Sequence, residues 1–368
     1  MAILRMCFYM FVALLAGYSL LRYYLLWKRT KIPNALYFVF QVVLLGALYI
    51  CYQKVPLIKN ELFRNVLQGI SAIYFCILVY TPLFCLIREW IRRCGKKKEK
   101  KGKIYRFFNH PAKSIYVILG ITVLIGLYSF INMRFINATE YSVRIEKEAE
   151  EETFTVAFIA DLHVGSGVTR YGIDSMIEKV NEMQADIIVL GGDVFDQNTT
   201  DQMKQYTLNG LKKLEAEYGV FFVEGDHELK QKEPFTDQIT QLGITVLQDQ
   251  ATYLVNGIQL VGLRDHIDQK KQSVDFIMNS LDKEKPIVVI SHRPKELKKL
   301  SEYGVDLVLS GHTHGTDWLS HDMVYGEKKY GTMTAITTSG VGGYGIPSKV
   351  IVPSEIVKIE ISMKEKNK

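Results

Sequence analysis

The sequence predicts an α/β domain that follows an N-terminal region of membrane-spanning helices. Two observations predict this class. Apolar stretches of bilayer length are confined to the first 134 residues, and short apolar runs alternate with helical periodicity after residue 153. A third observation concerns chemistry, because five of the chain's eight histidines follow these short apolar runs directly. Chance would have scattered them.

Four apolar stretches predict transmembrane helices over residues 6–27, 34–53, 66–87 and 114–133, because each is close to the ~20 residues that cross a bilayer. Buried core helices are the alternative, but four such segments are hard to house in a soluble core of this length. A cleaved signal peptide is disfavoured for the first stretch, since no small-residue cleavage site precedes Arg22. We therefore assign residues 1–134 to a membrane domain with four transmembrane helices.

Basic residues are concentrated before the predicted α/β domain. Residues 1–113 hold 19 of the 45 Lys and Arg residues but only three Glu, and most of the 19 lie in a loop predicted at 88–113. Because short loops rich in Lys and Arg stay cytoplasmic, we expect a multi-pass cell-membrane protein whose catalytic domain is extracytoplasmic. The rest of the chain has 36 acidic and 26 basic residues, which disfavours a nucleic-acid-binding surface. All five cysteines precede residue 95, which excludes a disulfide framework or zinc-thiolate site in the α/β domain.

The α/β domain is predicted at residues 153–362, between a charged linker at 135–152 and a charged tail at 363–368. Apolar runs predict strands at 154–160, 187–190, 220–224, 287–290 and 307–309, and periodicity predicts helices at 173–183 and 200–218. Each strand leads into polar residues, at the end where open α/β sheets place their sites. The glycine-rich stretch 340–345 is followed by Pro347 rather than by a helix, so we interpret it as a loop at the rim of the site.

The polar residues at the strand ends are of the types that bind a pair of divalent ions. Asp161 and His163 are two residues apart, as are His312 and His314, so both members of each pair can point to the same side of an extended chain. Asp193 follows a tight Gly-Gly turn, which lets a carboxylate face two ions, and His292 adds a ligand from another strand. Two ions held ~3.5–4 Å apart clamp the attacking and leaving oxygens of a phosphoryl group. Singly, each motif is more typical of surface or capping residues.

The motifs occur in the order Asp161-Leu162-His163, Gly192-Asp193-Val194-Phe195-Asp196, Gly225-Asp226-His227-Glu228, Ser291-His292 and Gly311-His312-Thr313-His314. This order resembles that of the calcineurin-like metallophosphoesterases, and residues 154–360 are similar to their membrane-anchored bacterial subgroup. The resemblance implies a four-layer sandwich in which helices flank two mixed β-sheets. It implies one metal ion held by Asp161, His163, Asp193 and His314, and a second held by Asp193, Asp226, His292 and His312. His227 would be the catalytic histidine that approaches the scissile phosphate and stabilises charge or protonates the leaving oxygen.

Asp226 departs from the family pattern, which usually has Asn at this position. The additional negative charge lowers the formal charge of the two-ion site from two to one. We expect tighter binding of the second ion, weaker attraction of an anionic phosphate and a less acidic water between the ions. Asp196, Glu228, His266 and His321 are candidates for side chains that orient the ligands, with local turn or surface hydrogen bonding as the alternative.

The predicted function is hydrolysis of a phosphoester or pyrophosphate bond. The two divalent metal ions are Mn, Fe, Zn or Mg, because mixed oxygen and imidazole ligands accept all four in varying degree. Attachment to a membrane favours a phosphorylated substrate of the membrane or envelope, including lipid-linked phosphates. The alternative is a non-catalytic metal- or phosphate-binding sensor or scaffold domain coupled to the helices. A transporter is disfavoured, because the helices lack the acidic residues that often mark ion paths.

Overall fold

The computed structural model describes residues 2–53, 60–96, 102–165, 168–231, 235–254, 256–316, 322–345 and 348–365. The chain divides into two units, Met1–Ile131 with Gly345–Val350, and Asn132–Tyr344 with Ile351–Lys368. We name them the helical unit and the α/β unit.

The helices are α1 (Ala2–Trp27), α2 (Asn34–Gln53), α3 (Glu61–Lys96), α4 (Lys103–Asn109), α5 (Pro111–Asn132), α6 (Arg170–Glu182), α7 (Asp201–Leu211), α8 (Asp226–Leu229), α9 (Thr236–Thr240), α10 (Val274–Met278) and α11 (Leu297–Glu302). The strands are β1 (Ile136–Ala149), β2 (Thr153–Ile159), β3 (Ile187–Leu190), β4 (Val220–Phe222), β5 (Thr245–Val246), β6 (Gln250–Tyr253), β7 (Gln259–Leu263), β8 (Ile287–Ser291), β9 (Leu307–Ser310), β10 (Gly326–Tyr330), β11 (Met333–Thr337) and β12 (Ser354–Glu365).

Within the residues described, three helices have the length and composition to cross a membrane: α2 over Asn34–Cys51, α3 over Leu62–Lys96 and α5 over Pro111–Asn132. They correspond to the last three predicted spans. The first predicted span, residues 6–27, lies in α1, where the apolar segment Val12–Trp27 is shorter than the ~20 residues of a crossing. A fourth span therefore stays a prediction.

The basic segment predicted as a loop at 88–113 is largely helical. Helix α3 continues to Lys96, and Glu89 pairs with Arg92 and Arg93 one turn further on, at 3.2 and 3.3 Å. Such i,i+3 and i,i+4 pairs support a helix that has already left its apolar stretch.

In the described part of the α/β unit, the strands form two six-stranded sheets. The first has the order β1-β12-β2-β3-β4-β5, and the second has the order β10-β11-β9-β8-β7-β6. The central strands of each sheet are parallel to their neighbours. Strand β12 is antiparallel to β2, β6 to β7 and β10 to β11. Both sheets are therefore mixed, as predicted.

Side chains of β2 show how the layers are built, because alternate residues of a strand point to opposite faces. Phe154, Val156 and Phe158 enter the core between the two sheets. Ala157 and Ile159 enter a second core, which packs against α6 and α7. A third core joins the other face of the second sheet to α10 and α11. Helices thus cover the outer faces of two stacked sheets, which confirms the four-layer sandwich.

Residues 135–152 contain strand β1, although their charge content indicated a linker. Strand β1 runs parallel to β12, with Ile136 opposite Ser354. Its Val143 and Ile145, two residues apart, are both buried, while the charged side chains between and around them are exposed or partly exposed. Strand β12 continues to Glu365, so the tail predicted at 363–368 begins inside a strand. Strand β1 lies at the edge of its sheet and carries many charged residues. These charges obscure the alternation of buried and exposed residues that would otherwise predict a strand.

Candidate dinuclear metal centre

The predicted ligands all follow strand ends on one side of the sandwich. The first sheet contributes Asp161 and His163 after β2, Asp193 after β3, and Asp226 after β4. The second sheet contributes His292 after β8 and His312 and His314 after β9. Parallel strands end at the same edge of their sheet, so segments far apart in the chain meet there.

Five of these seven residues have a left-handed backbone, with φ of 54° at Asp161, 44° at His163, 54° at Asp193, 68° at His312 and 49° at His314. This conformation costs about 1–3 kcal/mol for each residue other than glycine. Such outliers cluster at functional sites, because the surrounding structure must hold a side chain in a direction that a relaxed backbone would not give it.

The first ligand group consists of Asp193, Asp226, His292 and His312, whose donor atoms all lie within 4.8 Å of one another. His292 Nε2 is 3.2 Å from Asp193 Oδ2 and 3.6 Å from Asp226 Oδ1. His312 Nδ1 is 3.0 Å from the same Asp226 oxygen. This is a tetrad of two carboxylates and two imidazoles from four different loops.

The second ligand group consists of Asp161, His163 and His314, again with donor atoms within 4.8 Å. The Nε2 atoms of His163 and His314 are 3.1 Å apart, and each is 3.9 Å from Asp161 Oδ1. Asp193 Oδ2 lies 3.5 Å from His163 Nε2. Because that oxygen also lies against His292, Asp193 stands between the two groups and can bridge two ions.

The donor set fits divalent cations. His292 Nδ1 donates to the Gly191 carbonyl oxygen at 2.8 Å, which leaves the lone pair of Nε2 facing carboxylate oxygens. His292 Nε2 and Asp161 Oδ1 are both buried without a hydrogen-bond partner. Buried polar atoms are normally satisfied, so an unpartnered lone pair in each of the two ligand groups favours a bound cation there. Oxygen and imidazole ligands of this kind suit Mn, Fe, Zn or Mg.

The pKa values of the group follow from burial and crowding. Burial raises the pKa of Asp161 to about 6. Burial opposes the charged form of Asp193 too, but the neighbouring His292 outweighs it and lowers the pKa of that carboxyl. Burial also opposes protonation of His292, yet the Asp193 carboxylate raises its pKa well above the ordinary value. Positive charge beside the buried carboxylates therefore stabilises their ionised form, and either protons on the imidazoles or metal ions can supply it.

His227 lies beside both ligand groups. Its backbone N–H donates to Asp193 Oδ1 at 2.8 Å, and its ring meets that of His163 edge-on at 4.8 Å between centroids. Its side-chain Nδ1 is buried without a hydrogen-bond partner. His227, His163 and Asp193 also form a group with donor atoms within 4.8 Å, so His227 is brought to the predicted centre.

Glu228 shapes the loop that carries Asp193. Its buried carboxylate accepts four backbone N–H bonds, from Asp193 (2.8 Å), Gly225 (2.9 Å), Val194 (2.7 Å) and Phe195 (3.2 Å). Gly192 permits this close approach of two loops, because its φ is 94° and a Cβ there would lie 2.5 Å from the Gly225 nitrogen. Glu228 thus orients the predicted bridging carboxylate without belonging to either ligand group.

The other three candidates for orienting residues differ. Asp196 Oδ2 lies 3.6 Å from His163 Nδ1, where it can orient that ring. His266 is outside the ligand groups and contacts Asp265 at 3.1 Å and Lys295 at 3.0 Å. His321 lies outside the described residues.

Three residues that the sequence did not identify individually also lie beside the centre: Arg293, Lys230 and Tyr344. Arg293 Nη2 is 3.0 Å from Asp226 Oδ1, and Lys230 Nζ donates to Asp226 Oδ2. Tyr344, in the glycine-rich loop, places its ring 4.6 Å from that of His227 and accepts a hydrogen bond from Gln197. The loop approaches closely enough that a Cβ at Gly342 would lie 2.0 Å from the Leu162 carbonyl oxygen.

Comparison with known proteins identifies this architecture. A family model described as calcineurin-like phosphoesterase matches residues 154–316. An uncharacterized metallophosphoesterase of Helicobacter pylori is 31% identical over 236 residues, which cover 60% of this chain and 62% of that protein. A second, of Campylobacter jejuni, is 26% identical over 348 residues and 89% of each chain. A zebrafish transmembrane protein with a metallophosphoesterase domain is 23% identical over 316 residues, or 78% of this chain and 72% of that protein. The match thus spans about three fifths of the Helicobacter relative. Residues 154–316 thus match the calcineurin-like phosphoesterase family.

Proposed function

We propose that the α/β unit is a metal-dependent phosphohydrolase that cleaves a phosphoester or pyrophosphate bond. The observation that carries the proposal is the convergence of seven Asp and His side chains, from both sheets, into two adjoining groups with Asp193 between them. Neither sheet needs such an arrangement for its own packing, and five of the seven residues are held in a costly backbone conformation.

The ligands divide between two ions. Asp161, His163, Asp193 and His314 would hold one, and Asp193, Asp226, His292 and His312 would hold the other. When bound, two such ions acidify a water and withdraw charge from a phosphoryl group. Mn, Fe, Zn and Mg all remain compatible with these ligands.

The protein itself contributes position and a proton. Glu228 fixes the backbone of Asp193, and Asp193 Oδ1 in turn fixes the backbone N–H of His227. This chain of contacts places the His227 imidazole at the side of the centre, where it would face the scissile phosphate. From there, His227 would stabilise developing charge or protonate the leaving oxygen.

Turnover is tested with the full chain in detergent, a chromogenic phosphodiester and added Mn²⁺. We expect hydrolysis by the native chain and its loss in His227→Ala and Asp193→Ala, whereas His266→Ala, outside the ligand groups, should retain it. Mn²⁺ binding without turnover of any phosphoester or pyrophosphate tried would contradict the proposal and favour a sensor or scaffold domain.

We further propose a multi-pass membrane protein with the α/β unit outside the cytoplasm and a substrate in the membrane or envelope. The candidate classes are phospholipids, lipid-linked phosphates and wall polymers, and nucleic acid is disfavoured by the acidic character of the domain. The support is the set of apolar helices and the basic segment that ends α3.

Orientation is tested by labelling with a membrane-impermeant maleimide in sealed right-side-out vesicles. Cys94 is exposed just beyond the apolar part of α3, and Lys213 is exposed on the α/β unit. We expect native Cys94 to react only after detergent is added, and Lys213→Cys, in a Cys94→Ser background, to react without it. The opposite pattern would place the α/β unit in the cytoplasm.

A further inference from the structure

The two oxygens of Asp226 face different partners. Oδ1 points toward the ligand group, 3.0 Å from His312 Nδ1 and 3.6 Å from His292 Nε2. Oδ2 points away from it and accepts from the Lys230 ammonium one helical turn further along the chain. A ligand at this position therefore needs an acceptor on both sides.

An asparagine would not satisfy this arrangement. If its carbonyl oxygen took the place of Oδ1, its amide would direct N–H groups at the Lys230 ammonium, so two donors would meet with no acceptor between them. If the amide were turned over, its N–H groups would face the ligand group, where they cannot bind a cation. Lys230 thus matches the carboxylate that distinguishes this chain from the usual family pattern.

Arg293 provides a second cation on the other side of Asp226. Its Nη2 is 3.0 Å from Asp226 Oδ1, and its Nε donates to Asp265 Oδ2 at 2.8 Å. Asp265 is buried and is itself fixed by the Ile267 N–H at 3.0 Å. Although Arg293 lies close to Asp226 Oδ1, this oxygen accepts no hydrogen bond of good geometry. Its lone pair therefore stays available to an ion. Arg293 is held in place independently of Asp226.

The charges of these groups cancel the effect of the Asp226 carboxylate. Two divalent ions carry four positive charges, and Asp161, Asp193 and Asp226 remove three, which leaves one. Lys230 and Arg293 add two, and Asp265 removes one. The total becomes two, which is the charge that an asparagine ligand without these partners would leave.

We propose that Lys230 and Arg293 are positioning residues that keep Asp226 as a ligand of the second ion and restore the positive charge that its carboxylate removes. The inference rests on the proposed two-ion site. It replaces the expectation, drawn from Asp226 alone, that the centre attracts an anionic phosphate weakly. The pairs Asp226–Lys230 and Asp226–Arg293 act together as one charge-balanced unit.

The test is the affinity of the Mn²⁺-loaded full chain for inorganic phosphate, measured by titration calorimetry. Because Lys230 is about half exposed, with 55% of its side chain accessible, its pairing is worth little more than a surface ion pair. We expect Lys230→Met to weaken phosphate binding by about two- to fivefold. Lys212→Met, which removes an exposed lysine at the end of α7, should leave the affinity unchanged.

Charge restoration separates this role from a structural one. Asp226→Asn/Lys230→Met removes one charge of each sign, so at saturating Mn²⁺ we expect its phosphate affinity to return to within about twofold of the native value. Arg293→Lys should retain phosphate affinity, and Arg293→Met should lose it. If Arg293→Met does not fold, the Lys230 series decides alone. A double variant as weak as Lys230→Met, or no effect of Lys230→Met, would overturn the inference.

Direct titration with Mn²⁺ gives a second readout. Lys230→Met should bind Mn²⁺ about as tightly as the native chain, because the loss of a contact that orients Asp226 is offset by the loss of a competing cation, whereas Asp226→Asn should bind Mn²⁺ more weakly. A native chain that binds Mn²⁺ and phosphate but hydrolyses nothing would remove the proposed function and leave this comparison valid. If the native chain hydrolyses substrate but the Lys230 variants bind phosphate as tightly as the native chain does, the charge-balancing role alone is refuted. If the native chain binds no Mn²⁺, both this role and the proposed function are refuted.

Discussion

Tyr344 offers a test of whether the glycine-rich loop completes the centre. Its ring lies 4.6 Å from that of His227 and 5.5 Å from that of His163, and its hydroxyl accepts from Gln197. Each ring contact is worth about 0.5–1.5 kcal/mol, so Tyr344→Ala removes roughly 1–3 kcal/mol of support for the two imidazoles. If all of this support acts in the transition state, kcat/KM falls by about 5- to 150-fold.

Tyr344→Phe keeps the ring and removes only the hydrogen bond, so its loss should be about 2- to 12-fold. The assay is steady-state hydrolysis of a phosphodiester with saturating Mn²⁺, and we expect the loss in kcat rather than KM because the contact is to His227. Tyr253→Ala, at an exposed residue of β6, is the matched control. A folded Tyr344→Ala variant with native kcat would refute the idea that this loop supports the catalytic histidine.

Three further predictions follow from the loops around the centre. Glu228→Gln replaces one of the two carboxylate oxygens that accept the four backbone N–H bonds with an amide donor. It should lower the free energy of unfolding by roughly 3–6 kcal/mol in denaturant titrations. The control is Glu224→Gln, because among the described residues the Glu224 carboxylate accepts only from the Gln248 side chain, and its effect should be much smaller. Gly342→Ala forces a Cβ against backbone and should cost at least about 1–3 kcal/mol, whereas Gly343→Ala meets only the flexible end of Met133 at 3.3 Å and should be mild; equal costs would contradict the close approach. A chelator should lower the melting temperature, and Mn²⁺ at a hundredfold excess over Kd should restore about 2.7 kcal/mol; a chelator without effect would argue against bound metal.

The fold, and the convergence of the Asp and His residues that are the predicted ligands, could be predicted because they depend on local patterns that recur in order. The strand predicted at 187–190 coincides with β3. The strands predicted at 287–290 and 307–309 correspond to β8 and β9, each of which extends one residue further at its carboxyl end. Such runs are buried on both faces, so their apolar character is continuous and their ends are sharp. The His and Asp residues come shortly after the carboxyl ends of these strands. Because parallel strands end at the same edge of a sheet, these residues lie close together in the fold.

Other features depend on tertiary pairing that no local pattern carries. Strand β1 is a strand because β12 lies beside it, and its many Glu and Lys residues made the same segment resemble a linker. The sequence predicts a helix over residues 200–218, but α7 already ends at Leu211. The contacts of Arg293 and Lys230 with Asp226 arise across loops, although the unusual carboxylate at position 226 was a signal that a balancing cation was needed.

The left-handed residues at the metal centre imply that folding and chemistry make opposite demands on this chain. Glycine or asparagine would occupy those five positions with less strain. Selection for heat resistance alone, in the absence of metal, would therefore favour exchanges that erase the centre. Retaining aspartate and histidine there is a stability–activity trade-off, and cations bound by these side chains would offset part of the strain.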